Sequence, residues 1–158
     1  MLKQLGACLV ALALGALGFW WIAREHARLD ALEDALRAVR LLRAQVEHLR
    51  LPLPEAVESL RGQCRLADAL WEAGCPLGGE ALEAALRAAG LQKDAAQIVQ
   101  ALLRAVPALP AGETGPFDSA QEQLRELRDL KRAALDQSAA LYPRLGLLAA
   151  FAALVLLL

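Results

Sequence analysis

The apolar positions fall into three regimes along the chain. From Leu5 to Ala23 no residue carries a charge. At about 1.5 Å per residue in a helix this run is roughly 28 Å long, close to the ~30 Å hydrocarbon core of a bilayer. A second continuous run, Leu145 to Leu158, is shorter. It reaches spanning length by recruiting Ala139 to Tyr142 if Arg144 extends its guanidinium back to the interface. Between the two runs apolar residues recur every three or four positions, the period of a helix that buries one face.

The middle predicts a set of helices. No Pro or Gly occurs from Phe19 to Leu51, so one helix is expected to leave the first apolar run and continue to about Arg50. Its stripe is Leu29, Leu32, Leu36, Val39, Leu42, Val46 and Leu49. The 39-to-42 step breaks a heptad and favours a globular helix pack over a coiled coil. Leu51-Pro52-Leu53-Pro54 ends that helix, because each proline disfavours the helical region for the residue before it. Pro54 then suits the first position of a second helix, with Glu55 near its positive end. The second helix is expected to carry Val57, Leu60, Cys64, Ala67 and Trp71 up to Gly74. A turn over Pro76–Gly79 leads to a helix from Glu80 to about Ala89, and another runs from about Asp94 to Val106. The proline- and glycine-rich stretch 107–116 reads as the longest loop. Asp118 with Gln121 three residues on has the form of a capping box. It opens a last helix that reaches Tyr142 and passes Pro143, with a kink, into the second apolar run.

Composition agrees with an all-α chain: of 158 residues 57% are hydrophobic and only 4% aromatic. Leu and Ala supply most of the apolarity, and β-branched residues are scarce. The mean hydropathy of +0.35 is high for a domain without a membrane segment. A cleaved leader would explain Lys3 and the small-x-small site Ala16-Leu17-Gly18. The run continues, however, through Phe19, Trp20 and Trp21, bulky rings that favour the headgroup level, so an uncleaved anchor is the stronger reading. Flanking charge then sets orientation. Arg24, Arg28, Arg37, Arg40 and Arg43 follow the first run, and Arg125, Arg128, Lys131, Arg132 and Arg144 precede the second, against Lys3 alone outside. The positive-inside rule puts the middle in the cytoplasm. The expected organisation is a transmembrane helix over 1–23, a small cytoplasmic helical bundle over 24–144, and a C-terminal transmembrane segment over 145–158, starting near 139 if Arg144 snorkels. Ala7, Ala11 and Gly15, and Gly146 with Ala150 beside Ala149 and Ala153, form small-residue ridges of the kind that pack membrane helices closely.

Net charge is −1, from 17 basic and 18 acidic residues, which gives no electrostatic footprint for nucleic acid. The three cysteines lack the paired spacing of a zinc ribbon. His26 and His48 stand about 33 Å apart on one helix and cannot share a metal within the chain. Cys64 and Cys75 read as packing residues. No phosphate loop, nucleophile elbow, zinc-protease motif or EF-hand loop occurs. Glu126 and Asp129 interleave with Arg125 and Arg128, as on a solvated helix face. A non-enzymatic protein without a cofactor is expected.

Three stretches resemble the stage III sporulation protein AB family. The opening Met1-Leu2-Lys3-Gln4-Leu5-Gly6-Ala7 and the Gly18-Phe19 pair match its start. Leu42-Arg43-Ala44-Gln45-Val46-Glu47-His48-Leu49-Arg50-Leu51-Pro52-Leu53-Pro54-Glu55-Ala56 resembles its central run, and Leu141-Tyr142-Pro143-Arg144-Leu145-Gly146 its terminus. The sequence departs from the family at Gln45, where Glu is usual, at His48 for Tyr, at Leu49 for Gly and at Leu51 for Thr. A longer loop over 107–115 also replaces a short turn. The resemblance implies a platform component of the channel that joins mother cell and forespore after engulfment, similar to the inner-membrane platform of type II secretion systems. It further implies a place in the outer forespore membrane with the domain facing the mother-cell cytoplasm. The implied partners are a secretion-type ATPase (stage III sporulation protein AA) and other stage III sporulation membrane proteins, with a homo-oligomer compatible. Gln45, His48, Pro52, Pro54 and Glu55 are the candidate partner-binding residues. The competing reading is a membrane-anchored, self-associating helical adaptor or signalling stalk that dimerises through the 29–49 stripe.

Overall fold

A computed structural model describes the backbone of residues 2–49, 51–76, 78–109 and 113–157, and the side chains of residues 16, 19–47, 51–76, 78–109 and 113–138. Among these the chain is all helical: α1 (Leu2–Leu49), α2 (Leu53–Ser59), α3 (Arg65–Glu72), α4 (Gly79–Ala88), α5 (Lys93–Ala105), a short 3₁₀ turn (Val106–Ala108) and α6 (Gly115–Leu157). It divides into two compact units, one of residues 28–130 and one of residues 1–27 with 131–158.

The unit of residues 28–130 is a helical bundle around one core. From α1 the buried residues are Leu32, Leu36, Val39 and Leu42, with Ala31, Ala35 and Ala38 beside them. The alanines widen the apolar stripe and let neighbouring helices approach. Val57 of α2, Leu60 just past its end, and Leu66 and Leu70 of α3 supply the core from the short helices. Leu82 and Leu86 come from α4, Val99, Leu102 and Leu103 from α5, and Phe117 and Leu124 from α6. Each set recurs at helical spacing, so the amphipathic pattern translates directly into the packed face.

The single helix expected from Pro54 to Gly74 is two. Residues 60–64 interrupt it: Gly62 takes left-handed backbone (φ +76), and Cys64 is extended (φ −146, ψ 138) ahead of α3. The break is held from both sides. The Asp68 carboxylate accepts the Gly62 amide at 2.7 Å. The Leu66 amide, in the first turn of α3, donates to Asp34 Oδ2 of α1 at 3.3 Å. No side chain at the N-cap itself does so, so a carboxylate distant in sequence satisfies an orphan donor of this helix. Asp118 is not an N-cap either, because α6 starts earlier, at Gly115. Its carboxylate instead accepts from Thr114 Oγ1 at 3.1 Å and from Arg43 Nη1 at 2.5 Å.

In the unit of residues 1–27 and 131–158, helix α6 continues through Pro143 to Leu157. Among the described residues no helix is long and apolar enough to cross a membrane. Of the expected spans 1–23 and 145–158, only residues 16 and 19–23 are among those whose side chains are described.

Candidate functional site

Three of the candidate residues, Pro52, Pro54 and Glu55, lie where the turn after α1 leads into α2. Pro52 is the N-cap of α2, extended at φ −62 and ψ 151, and its carbonyl accepts the Ala56 amide at 3.0 Å. Helix α2 begins at Leu53, one residue before the expected start, so Pro54 occupies the second helical position. Neither proline removes a needed donor there, since the first amides of a helix have no intrahelical acceptor. Between the prolines Leu53 turns inward, lining a narrow seam with Val57, Leu70, Cys75 and Leu103. Pro52, Pro54 and Glu55 are exposed. Alternation of one inward leucine with two outward prolines thus leaves a short, rigid, acidic edge on the surface, prolonged along α2 by exposed Glu58.

Gln45 is half-buried on α1. Its Oε1 is buried and accepts no hydrogen bond among the described residues. Two residues back, Arg43 joins Glu47 (Nε to Oε2, 3.2 Å) and Asp118 of α6, which links the C-terminal part of α1 to the start of α6. The side chain of His48 lies outside the described residues, as do those of Ala11, Gly15, Gly146 and Ala150, the expected membrane-packing positions. The structure therefore brings Pro52, Pro54 and Glu55 onto one edge and sets Gln45 on the helix that precedes it.

The cysteines have distinct surroundings. Cys64 is buried and Cys75 half-buried, and both are free thiols. Burial pushes the Cys64 thiol above its ordinary value, with the Asp34 carboxylate adding to the effect. Burial alone raises Cys75, which follows the end of α3 in left-handed backbone (φ 52) with its amide donating to the Leu70 carbonyl at 2.7 Å. Thiols so shifted hold their protons and are poor nucleophiles at neutral pH. Among the described residues no three His, Cys, Asp or Glu side chains gather into a metal-sized group.

Two features escaped sequence reasoning. A groove of about 590 Å³ opens between α4 and α5, with Leu86 and Leu91 in its floor and Arg87, Lys93, Gln97 and Gln100 on its walls. Arg87 is tied there to Glu83 at 3.1 Å. Its walls come from two helices whose relative placement no local pattern encodes. Asp34 was the other omission. An acidic residue on the flank of an apolar stripe reads as solvated until the helix it caps is packed beside it.

The model of the family described as stage III sporulation protein AB matches residues 3–158. No curated protein and no solved structure matches the chain.

Proposed function

The chain belongs to the stage III sporulation protein AB family, and from that premise we propose that it is a non-enzymatic membrane platform of the channel between mother cell and forespore. The observation that carries the reading is a family match running from one apolar end to the other, across residues 3–158. In this reading residues 1–23 and 145–158 are held in the outer forespore membrane. The bundle of residues 28–130 faces the mother-cell cytoplasm and meets a secretion-type ATPase and other stage III sporulation membrane proteins.

The fold supports this assignment in two ways. Helices α1 and α6, which carry the apolar runs, both contribute to the bundle core through Leu36, Val39, Phe117 and Leu124, an arrangement that suits a bundle held at both ends. The Pro52–Glu55 edge supplies an exposed, stiff feature whose loss would not empty the core. The competing adaptor reading depends on the 29–49 stripe as a dimer seam. Leu32, Leu36, Val39 and Leu42 are at most 3% exposed within one chain, so the middle of that stripe is taken up by the chain's own core, which favours the platform reading.

The test is crosslinked affinity purification of the protein from membranes of sporulating cells, read by mass spectrometry. Recovery of a secretion-type ATPase together with sporulation membrane proteins is the expected outcome. Recovery of this chain alone, with the ATPase present in the same lysate, would overturn the platform role.

A further inference from the structure

Three consecutive aromatic residues of α1 stand out from the surface: Phe19 is 77% exposed, Trp20 56% and Trp21 39%. Successive residues of a helix turn by about 100°, so the three rings span roughly 200° of its circumference. A groove on a protein partner covers one face of a helix. Rings spread over so wide an arc call for a medium that surrounds it. The next turn narrows the choice further. The guanidinium of Arg24 lies over the Trp20 ring, 5.2 Å from its centroid, and Arg24 is itself exposed. A guanidinium drawn to a ring face by cation–π attraction keeps its planar set of N–H donors, the chemistry suited to a phosphate.

The order along the helix is uncharged residues from Leu5 through Gly18, aromatic rings at 19–21, then a cation at 24. Trp20 and Arg24 are separated by about 6 Å of helix rise. The interfacial layer of a bilayer is about 5–8 Å deep on each side of the hydrocarbon. Apolar, amphipathic and cationic zones thus follow one another at the depth intervals of acyl chain, ester and phosphate.

We propose that residues 19–24 form an interfacial anchor for a phospholipid bilayer, with the Phe19–Trp21 rings at the ester level and Arg24, held by Trp20, on a lipid phosphate. The anchor rests on the reading that the preceding run is embedded in the membrane, and it adds the boundary and the residues that fix it.

Tryptophan quenching tests it, because the chain contains three tryptophans and the third, Trp71, belongs to the bundle unit. The full chain is reconstituted in vesicles of phosphatidylcholine and phosphatidylglycerol brominated either near the ester or near the methyl end of the acyl chain. Trp71→Phe leaves Trp20 and Trp21 as the reporters. Trp20→Phe combined with Trp21→Phe leaves Trp71. The expected result is quenching of the Trp20/Trp21 signal about twofold or more stronger by ester-end than by methyl-end bromine, with the Trp71 signal unquenched by either. Arg24→Gln shifts the balance toward methyl-end quenching, and Arg24→Lys restores part of it.

Equal or deeper quenching of Trp20 and Trp21 in protein that floats with the vesicles overturns the anchor while the membrane reading stands. A quenching balance that Arg24→Gln leaves unmoved removes Arg24 from it. Failure of the reconstituted chain to float with vesicles overturns the membrane reading and the anchor with it.

Discussion

Gly62 and Gly90 both take left-handed backbone, at φ +76 and +84, but their surroundings differ. A Cβ on Gly62 meets open space, whereas one on Gly90 comes within 3.3 Å of the Ala31 Cβ on α1. Gly62→Ala is expected to destabilise the bundle by about 1–2 kcal/mol, the cost of a left-handed non-glycine residue. Gly90→Ala should cost more, because α1 must also give way. Urea unfolding of the two variants gives the order directly, and equal losses would mean that the α4–α5 turn yields without strain. Cys64 makes a second residue-scale prediction. Its native pKa is raised, so the folded state keeps a proton that the unfolded chain releases first. The associated stability is complete below the unfolded thiol pKa, about 8.5. It is lost as pH rises through the higher folded value. Unfolding measured from pH 7 upward should therefore show declining stability above roughly pH 8.5, with a smaller decline in Cys64→Ala.

At the scale of elements, α1 separates packing from charge on one helix. Leu36 is 3% exposed and sits in the core shared with the other helices. Leu36→Ala should cost about 2–5 kcal/mol, the sum of lost transfer energy and the cavity left behind. Arg43 bridges Glu47 and Asp118 with side chains 30%, 37% and 55% exposed. Solvent screens such pairs, so Arg43→Ala should cost no more than about 1 kcal/mol and less at high salt. Denaturant midpoints of both variants at low and high salt check the contrast. A loss at Arg43 matching that at Leu36 would show that the α1–α6 ion cluster, and not apolar burial, holds this end of the bundle. The interruption between α2 and α3 belongs to the same scale. Two short helices and a turn fold the stretch back on itself, so that Val57 and Leu70 line one seam, a position a single straight helix would deny one of them.

For the whole molecule, the platform reading makes the Pro52–Pro54 edge its most accessible test. Both prolines are exposed and neither blocks a hydrogen bond the fold needs. Replacing both by Ala should leave the bundle folded, at a cost of about 0.4–1 kcal/mol per site through the unfolded chain. Circular dichroism would verify the fold, and crosslinked purification from sporulating cells would then report the partners. Loss of the ATPase from a folded variant is the expected outcome. Undiminished recovery would show that these prolines serve only as an interhelix turn.

The sequence alone determined the helical class, the core stripe of α1 from Leu32 to Leu42, the break at Pro52–Pro54 and the family resemblance. These rest on local causes: periodicity, proline stereochemistry and short ordered motifs. It did not determine that the helix after Pro54 divides at Gly62, that Asp34 caps α3, or that Asp118 bonds Arg43 and Thr114 instead of opening α6. Each of those depends on groups brought together from far along the chain. A carboxylate on a helix flank carries no mark of the amide or guanidinium that will face it. Tertiary packing also decided where the middle of the 29–49 stripe goes. The same pattern serves a dimer seam or an intramolecular core, and within one chain Leu32, Leu36, Val39 and Leu42 are buried in the core shared with the other helices of the bundle. The candidate site was legible to the extent that it is local: Pro52, Pro54 and Glu55 share an edge because they are neighbours in sequence, whereas the buried Oε1 of Gln45 is a property of the packed helix.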